Sequence, residues 1–138
     1  MSPMRAGRLP GMTNRTMTTF TALRTVAIPV TDQEKTKALL ESLGFETRFD
    51  EELRPGFRWI ELTLPDGGAS LALVQTGDAL PTGVDTGIRL VAPDARAAHA
   101  QVLALGLEAG ELLDWPGVPL MFSFCDPDGN CLYVSEPG

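Results

Sequence analysis

The chain has 138 residues, 43% of them hydrophobic, a formal net charge of −7 and two cysteines. That length suits one domain able to bury a core without staples. The acidity argues against nucleic acid, which demands a basic face, and no apolar run is long enough to span a bilayer.

Residues 1–20 carry Arg5, Arg8 and Arg15, no acid and no periodic apolar face. They lack the apolar core of a secretory signal. A disordered tail is expected, or an extension upstream of a true start at Met12 or Met17. The first strand is predicted at about 23–30 and a helix near 33–43, followed by strands at about 45–50, 56–64 and 69–76. Residues 77–85 read as a Gly/Pro-rich linker. A strand at 86–92, a helix near 95–105, and strands at 107–113, 119–125 and 131–136 complete the chain.

The second half repeats the first. Asp32 and Asp94 are 62 residues apart, as are Gly44 and Gly106, and Pro65-Asp66-Gly67 and Pro127-Asp128-Gly129. Each landmark has a physical task. Asp32 and Asp94 stand where a short oxygen-bearing side chain caps a helix, and Thr31 with Glu34 offers a capping box. Gly44 and Gly106 follow the last apolar helical residue, where the chain must turn left-handed. The Pro-Asp-Gly runs are hairpin turns. The fold expected is α+β: two tandem βαβββ modules forming a cupped, U-shaped mixed sheet with helices on the outer face. Module one spans 21–76 and module two 86–137.

Strand alternation assigns two faces. Val26, Ile28, Val30, Ile60, Leu62, Leu64, Ile88, Leu90, Leu120, Phe122, Phe124, Leu132 and Val134 should pack under the helices. The second face then carries Thr25, Trp59, Glu61, Thr63, Arg89, Met121, Ser123 and Tyr133, with Leu71, Leu73 and Gln75 added from the fourth strand by repeat alignment. Aromatic and apolar walls with few polar groups are what a small-molecule pocket needs. The competing expectation for the charged pair is a Glu61–Arg89 ion pair, with Tyr133 filling space.

The motifs IPVTD (Ile28–Asp32), LGF (Leu43–Phe45), GFRWIEL (Gly56–Leu62), TGIRL (Thr86–Leu90) and FCDPDGN (Phe124–Asn130) resemble those of the vicinal oxygen chelate superfamily. This is the glyoxalase, bleomycin-resistance and extradiol-dioxygenase group. The resemblance covers roughly residues 21–137 and implies a U-shaped sheet around a cavity, commonly in a dimer. The aromatic pair usual in the family's first helix is replaced by Ala38-Leu39. Metal-dependent relatives place ligands at positions corresponding to Thr25, about Leu71, Gly87 and Tyr133. These residues lack the imidazole and carboxylate donors a divalent ion needs, so no metal or other cofactor is expected. His99, the sole histidine, reads as a helix-packing residue, and a metal set of Glu61, Cys125 and Cys131 as a remote alternative to free thiols.

The expectation is a metal-free small-molecule-binding protein, sequestering a drug or metabolite, with Thr25, Trp59, Glu61, Thr63, Leu71, Arg89, Met121, Ser123 and Tyr133 lining the site. The alternative is an enzyme of the same superfamily, a glyoxalase, lyase, isomerase or dioxygenase type with an atypical or absent metal site and Glu61 as candidate base. A homodimer, no nucleic-acid or membrane partner and a cytoplasmic location complete the reading.

Overall fold

The computed structural model describes residues 19–76 and 81–138. The expectation for the first eighteen residues, and that for linker residues 77–80, lie outside this range. In chain order the elements are β1 (Thr25–Val30), α1 (Gln33–Ser42), β2 (Glu46–Arg54), β3 (Phe57–Thr63), β4 (Ser70–Gln75), β5 (Asp85–Val91), α2 (Ala95–Ala104), β6 (Glu108–Ala109), β7 (Met121–Cys125) and β8 (Cys131–Ser135). Each half is βαβββ, as the repeat predicts. The expected strand at 107–113 shrinks to two residues in β6, extended only by an isolated bridge between Leu113 and Met121.

The repeat landmarks do what their residue types suggest. Asp32 accepts a hydrogen bond from the Lys35 N–H, and Asp94 one from the Ala97 N–H, at the two helix starts. At the helix ends Gly44 and Gly106 take φ of +99° and +82°. That lets the Phe45 N–H reach the Leu40 carbonyl and the Leu107 N–H reach Val102, closing each last turn. The Thr31–Glu34 capping box does not form: Thr31 bonds Asp128, and Glu34 pairs with Arg58. Asp50 accepts from Arg58 Nε at 2.7 Å and Lys37 Nζ at 2.8 Å. These two cations, Arg58 foremost, hold the Asp50 carboxyl well below the usual carboxylate range and pin α1 to β2 and β3.

The strands form two four-stranded mixed sheets, ordered β1-β4-β3-β2 and β5-β8-β7-β6. In each, the first strand runs parallel to the last and the other neighbours run antiparallel. The helix-side residues of both modules join one core: Ile28, Val30, Leu40, Ile60, Leu62, Phe122, Phe124, Leu132 and Val134 are all buried in it. Gln101 Nε2 donates to the Ser42 carbonyl at 2.9 Å, tying α2 to the end of α1. Burying both sheets' apolar faces in one core turns their second faces away from it, since successive strand side chains point in opposite directions.

The FCDPDGN segment joins the modules. Asn130 is fully buried. Its Nδ2 donates to the Pro29 carbonyl at 2.7 Å and to Asp126, while its Oδ1 accepts from the Gly83 and Val84 N–H groups. Asp128 accepts from the Thr31 backbone and hydroxyl. Cys125 and Cys131 are not free thiols: they form a disulfide, with Cα atoms 4.0 Å apart. The reason is the register of β7 and β8, which sets the two residues directly opposite each other. Opposed residues in an antiparallel pair approach within disulfide reach.

Candidate functional site

On the first sheet, Trp59 and Glu61 lie on the second face of β3. Trp59 Nε1 donates to Glu61 Oε2 at 2.7 Å, and Phe57 stands beside the indole with ring centroids 6.1 Å apart. Ser70 Oγ donates to Glu61 Oε1 at 2.8 Å, and the Thr25 hydroxyl approaches the same oxygen at 3.4 Å. Thr63 follows Glu61 on this face and is buried. The Trp59 indole, then Ser70 and Thr25, hold the Glu61 carboxyl below its ordinary range. A general base is most effective with a pKa near the working pH, so this environment moves Glu61 away from that role.

Leu71 does not belong to the second face. It is in register with Val26 and Leu62, and Leu73 with Ile28 and Ile60, so both are buried in the core. Gln75 reaches back to the Thr31 carbonyl. The cause is one extra residue in the first module's turn. Ala27 pairs with Ala72 and Arg89 with Tyr133; the first members differ by 62 (89 − 27) and the second by 61 (133 − 72). The doubled glycine, Gly67-Gly68, is the sequence signal for that extra residue. It flips every side chain of β4 relative to the simple offset. The second-face residues of β4 are therefore Ser70 and Ala72, which the repeat alignment missed.

On the second sheet, Ser123 is paired with Tyr133 and Met121 with Ser135, so these residues and Arg89 share the second face. The Arg89 guanidinium lies 4.2 Å from the Tyr133 ring centroid, a cation–π stack. The Tyr133 hydroxyl donates to Asp85 at 2.6 Å. That bond raises the Tyr133 pKa and lowers that of Asp85, the last residue of the expected linker. Gly87 takes a φ of +70° where the β5–β8 register is irregular between Asp85 and Arg89. Among the described residues no Glu61–Arg89 ion pair forms; each is engaged on its own sheet.

The residues at the superfamily's metal positions do not fit a divalent ion. Leu71 is in the core, Gly87 has no side chain, and Thr25 and Tyr133 offer only hydroxyls already hydrogen-bonded. Among the described residues no three His, Cys, Asp or Glu side chains converge on one point. The Glu61–Cys125–Cys131 set fails because both sulfurs are bound in the disulfide. His99 packs as expected of a helix residue, its Nε2 2.9 Å from the Gly110 carbonyl and its ring edge-on to Phe122.

Comparison with solved structures adds the family. A glyoxalase/bleomycin resistance protein/dioxygenase superfamily member from Sphaerobacter thermophilus DSM 20745 superposes with a TM-score of 0.76 at 28% identity, covering 86% of this chain and 98% of that one. TnmS3, an antibiotic binding protein from Streptomyces sp. CB03234, gives 0.76 at 28% identity, covering 88% and 99%. FosX, a fosfomycin resistance protein from Listeria monocytogenes, shares the fold alone, with a TM-score of 0.70 at 16% identity over 86% and 95% of the two chains. No protein-family model and no curated protein matches the sequence. With its paired βαβββ modules and the FCDPDGN turn, the chain is a member of the vicinal oxygen chelate superfamily.

A pH prediction follows from Glu61. Its folded pKa is depressed. Its contribution is therefore present above the unfolded carboxylate range, near 4, and is lost as pH falls through the lower folded value. Glu61→Gln should cost about 1 kcal/mol at neutral pH, the low end for a half-exposed charge-assisted bond. The gap to the parent should close in acid. Urea unfolding at several pH values checks this; a gap that stays constant would show that the carboxylate's charge contributes nothing.

Proposed function

We propose that the chain is a small-molecule-binding protein, holding a drug or metabolite on the second faces of its sheets. The observation that carries the reading is the composition of those faces. Trp59, Tyr133 and Met121 supply half-buried apolar surface, while Glu61, Arg89 and Asp85 are fixed polar groups already oriented by neighbours. Few oriented polar groups within an aromatic wall is the usual make-up of a ligand site. The likeness to TnmS3, an antibiotic binding protein, supports the same use here. The depressed Glu61 pKa and the donor-poor metal positions favour binding over catalysis as the working reading. The cytoplasm is the proposed location; among the described residues no helix is long and apolar enough to cross a membrane.

The site is proposed to be completed in a homodimer. The second faces are turned out from the shared core, and β1 and β5 each have a neighbour on one side only. A second copy placing its β5 face against the β1 face would enclose a cup and cover these edges. Light scattering at micromolar concentration should give twice the chain mass; monomer alone would defeat this part.

A thermal-shift screen against a panel of antibiotics tests the binding itself, because a ligand that binds only the native state raises Tm. For a compound that scores, Trp59→Ala should weaken binding by about 2 kcal/mol, the scale of an aromatic anchor. The fold should persist, since the core-facing residues of β3 are untouched. Because Trp115 is the other tryptophan, the fluorescence titration is made in a Trp115→Phe background. Unchanged affinity in Trp59→Ala would remove Trp59 from the site.

A further inference from the structure

We infer that the Cys125–Cys131 disulfide is a thiol-exchange site, reached from the cleft beside α1, whose reduction loosens the contact between the first module and the second. This is independent of the ligand reading. The bond crosses the base of the β7–β8 turn, six residues apart in sequence. Backbone pairing from Met121↔Ser135 to Phe124↔Leu132 already holds the strands together. The covalent link therefore acts chiefly on the turn, residues 126–130.

That turn is the clamp on module one. Asp128 accepts the Thr31 N–H at 3.0 Å, a contact between residues 97 apart in sequence. Asn130 holds the Pro29 carbonyl, the last stretch of β1, and the linker N–H groups of Gly83 and Val84. The bond between residues 125 and 131 constrains the two ends of the turn that carries these groups, and it adds to the turn's own hydrogen bonds from the Asp128 and Asn130 N–H groups to Asp126.

The sulfurs are within reach of solvent. Both cysteines are only partly buried. Cys125, Asp126, Pro127 and Gly129 form one wall of an open cleft of about 640 Å³, with Lys35 and Leu39 of α1 opposite. That volume admits a low-molecular-mass thiol. Lys35 favours an approaching thiolate, whereas Asp126 and Glu108, also in the wall, oppose it. Cys125, not Cys131, borders this cleft, and attack is assigned to its Sγ. The incoming thiolate forms a mixed disulfide with Cys125, and the S–S bond breaks with its electron pair leaving on Cys131, which takes a proton from water. A second thiol then attacks the mixed disulfide. The balance is one protein disulfide and two thiols giving two protein thiols and one small disulfide. In a cytoplasmic setting, protein disulfides are typically transient or redox-sensing.

The test uses the full chain and glutathione. After incubation of the folded protein with millimolar reduced glutathione, alkylation and intact mass should count two thiols, and Tm should fall by on the order of 5 °C. Hydrogen exchange at the Thr31 amide should rise on the order of tenfold. With oxidised glutathione, Cys131→Ser should gain an adduct on Cys125 faster than Cys125→Ser gains one on Cys131. The oxidised Asp128→Ala variant should reproduce the rise at Thr31 with the bond intact. A folded chain that resists glutathione, or an adduct preference for Cys131, overturns the exchange site. Faster exchange confined to residues 121–135, or Asp128→Ala leaving Thr31 protected, overturns the coupling to module one.

Discussion

Replacing Asn130 by alanine should destabilise the fold by about 3 kcal/mol or more. Asn130 is fully buried and satisfies polar groups in three places: the Pro29 carbonyl, the Gly83 and Val84 N–H groups, and the Asp126 carboxylate. Truncation removes the bond to the buried Pro29 carbonyl together with those to Asp126 and to the Gly83 and Val84 N–H groups. Each unsatisfied buried group costs about 1–3 kcal/mol, far more than the net gain of an ordinary hydrogen bond. Asn130→Asp should be at least as harmful at neutral pH, because it sets a carboxylate against both the Pro29 carbonyl and Asp126. Protonation would restore one donor, so the aspartate variant's folded pKa is raised and its stability deficit grows as pH rises through that value. Urea midpoints for both variants, at neutral and mildly acidic pH, measure this. An Asn130→Ala midpoint equal to the parent's would mean that the Asn130 hydrogen bonds add nothing to the hold between the modules.

Much of this was legible in the residues. The common offset of 62 located both helices, both caps and both turns, because each landmark is a residue type with a narrow conformational use. Alternation placed Trp59, Glu61, Arg89, Met121, Ser123 and Tyr133 correctly with respect to the core. It failed at Leu71, where period two offers no protection against a one-residue insertion and the apolar run Leu71-Ala72-Leu73 reads equally well in either phase. Asp85 was missed because the bulge at Gly87 carries pairing one turn further back than a regular strand would. The disulfide escaped because two cysteines six apart specify nothing until the hairpin register opposes them. Hydrogen-bond partners on the second faces follow from the packing of neighbouring strands, which local sequence does not encode.

The largest single-residue effect expected is that of Phe122→Ala, about 3–5 kcal/mol, the range for deleting a buried aromatic side chain. Phe122 is 2% exposed, meets His99 edge-on with ring centroids 4.9 Å apart and lies near Phe124. Its cost should not stay within its own module. Phe122 shares a crevice with Leu43, Phe45 and Leu64 of module one as well as Leu90 and Val102 of module two. A void there removes packing from both halves at once, and rigid strands on either side limit collapse into it. Phe122→Leu, which restores most of the volume, should recover more than half of the loss. Because one core serves both modules, unfolding of Phe122→Ala should remain a single transition, shifted as a whole. Calorimetry resolving two transitions, with only the second module's displaced, would show that the halves unfold independently and that the shared core does not couple them.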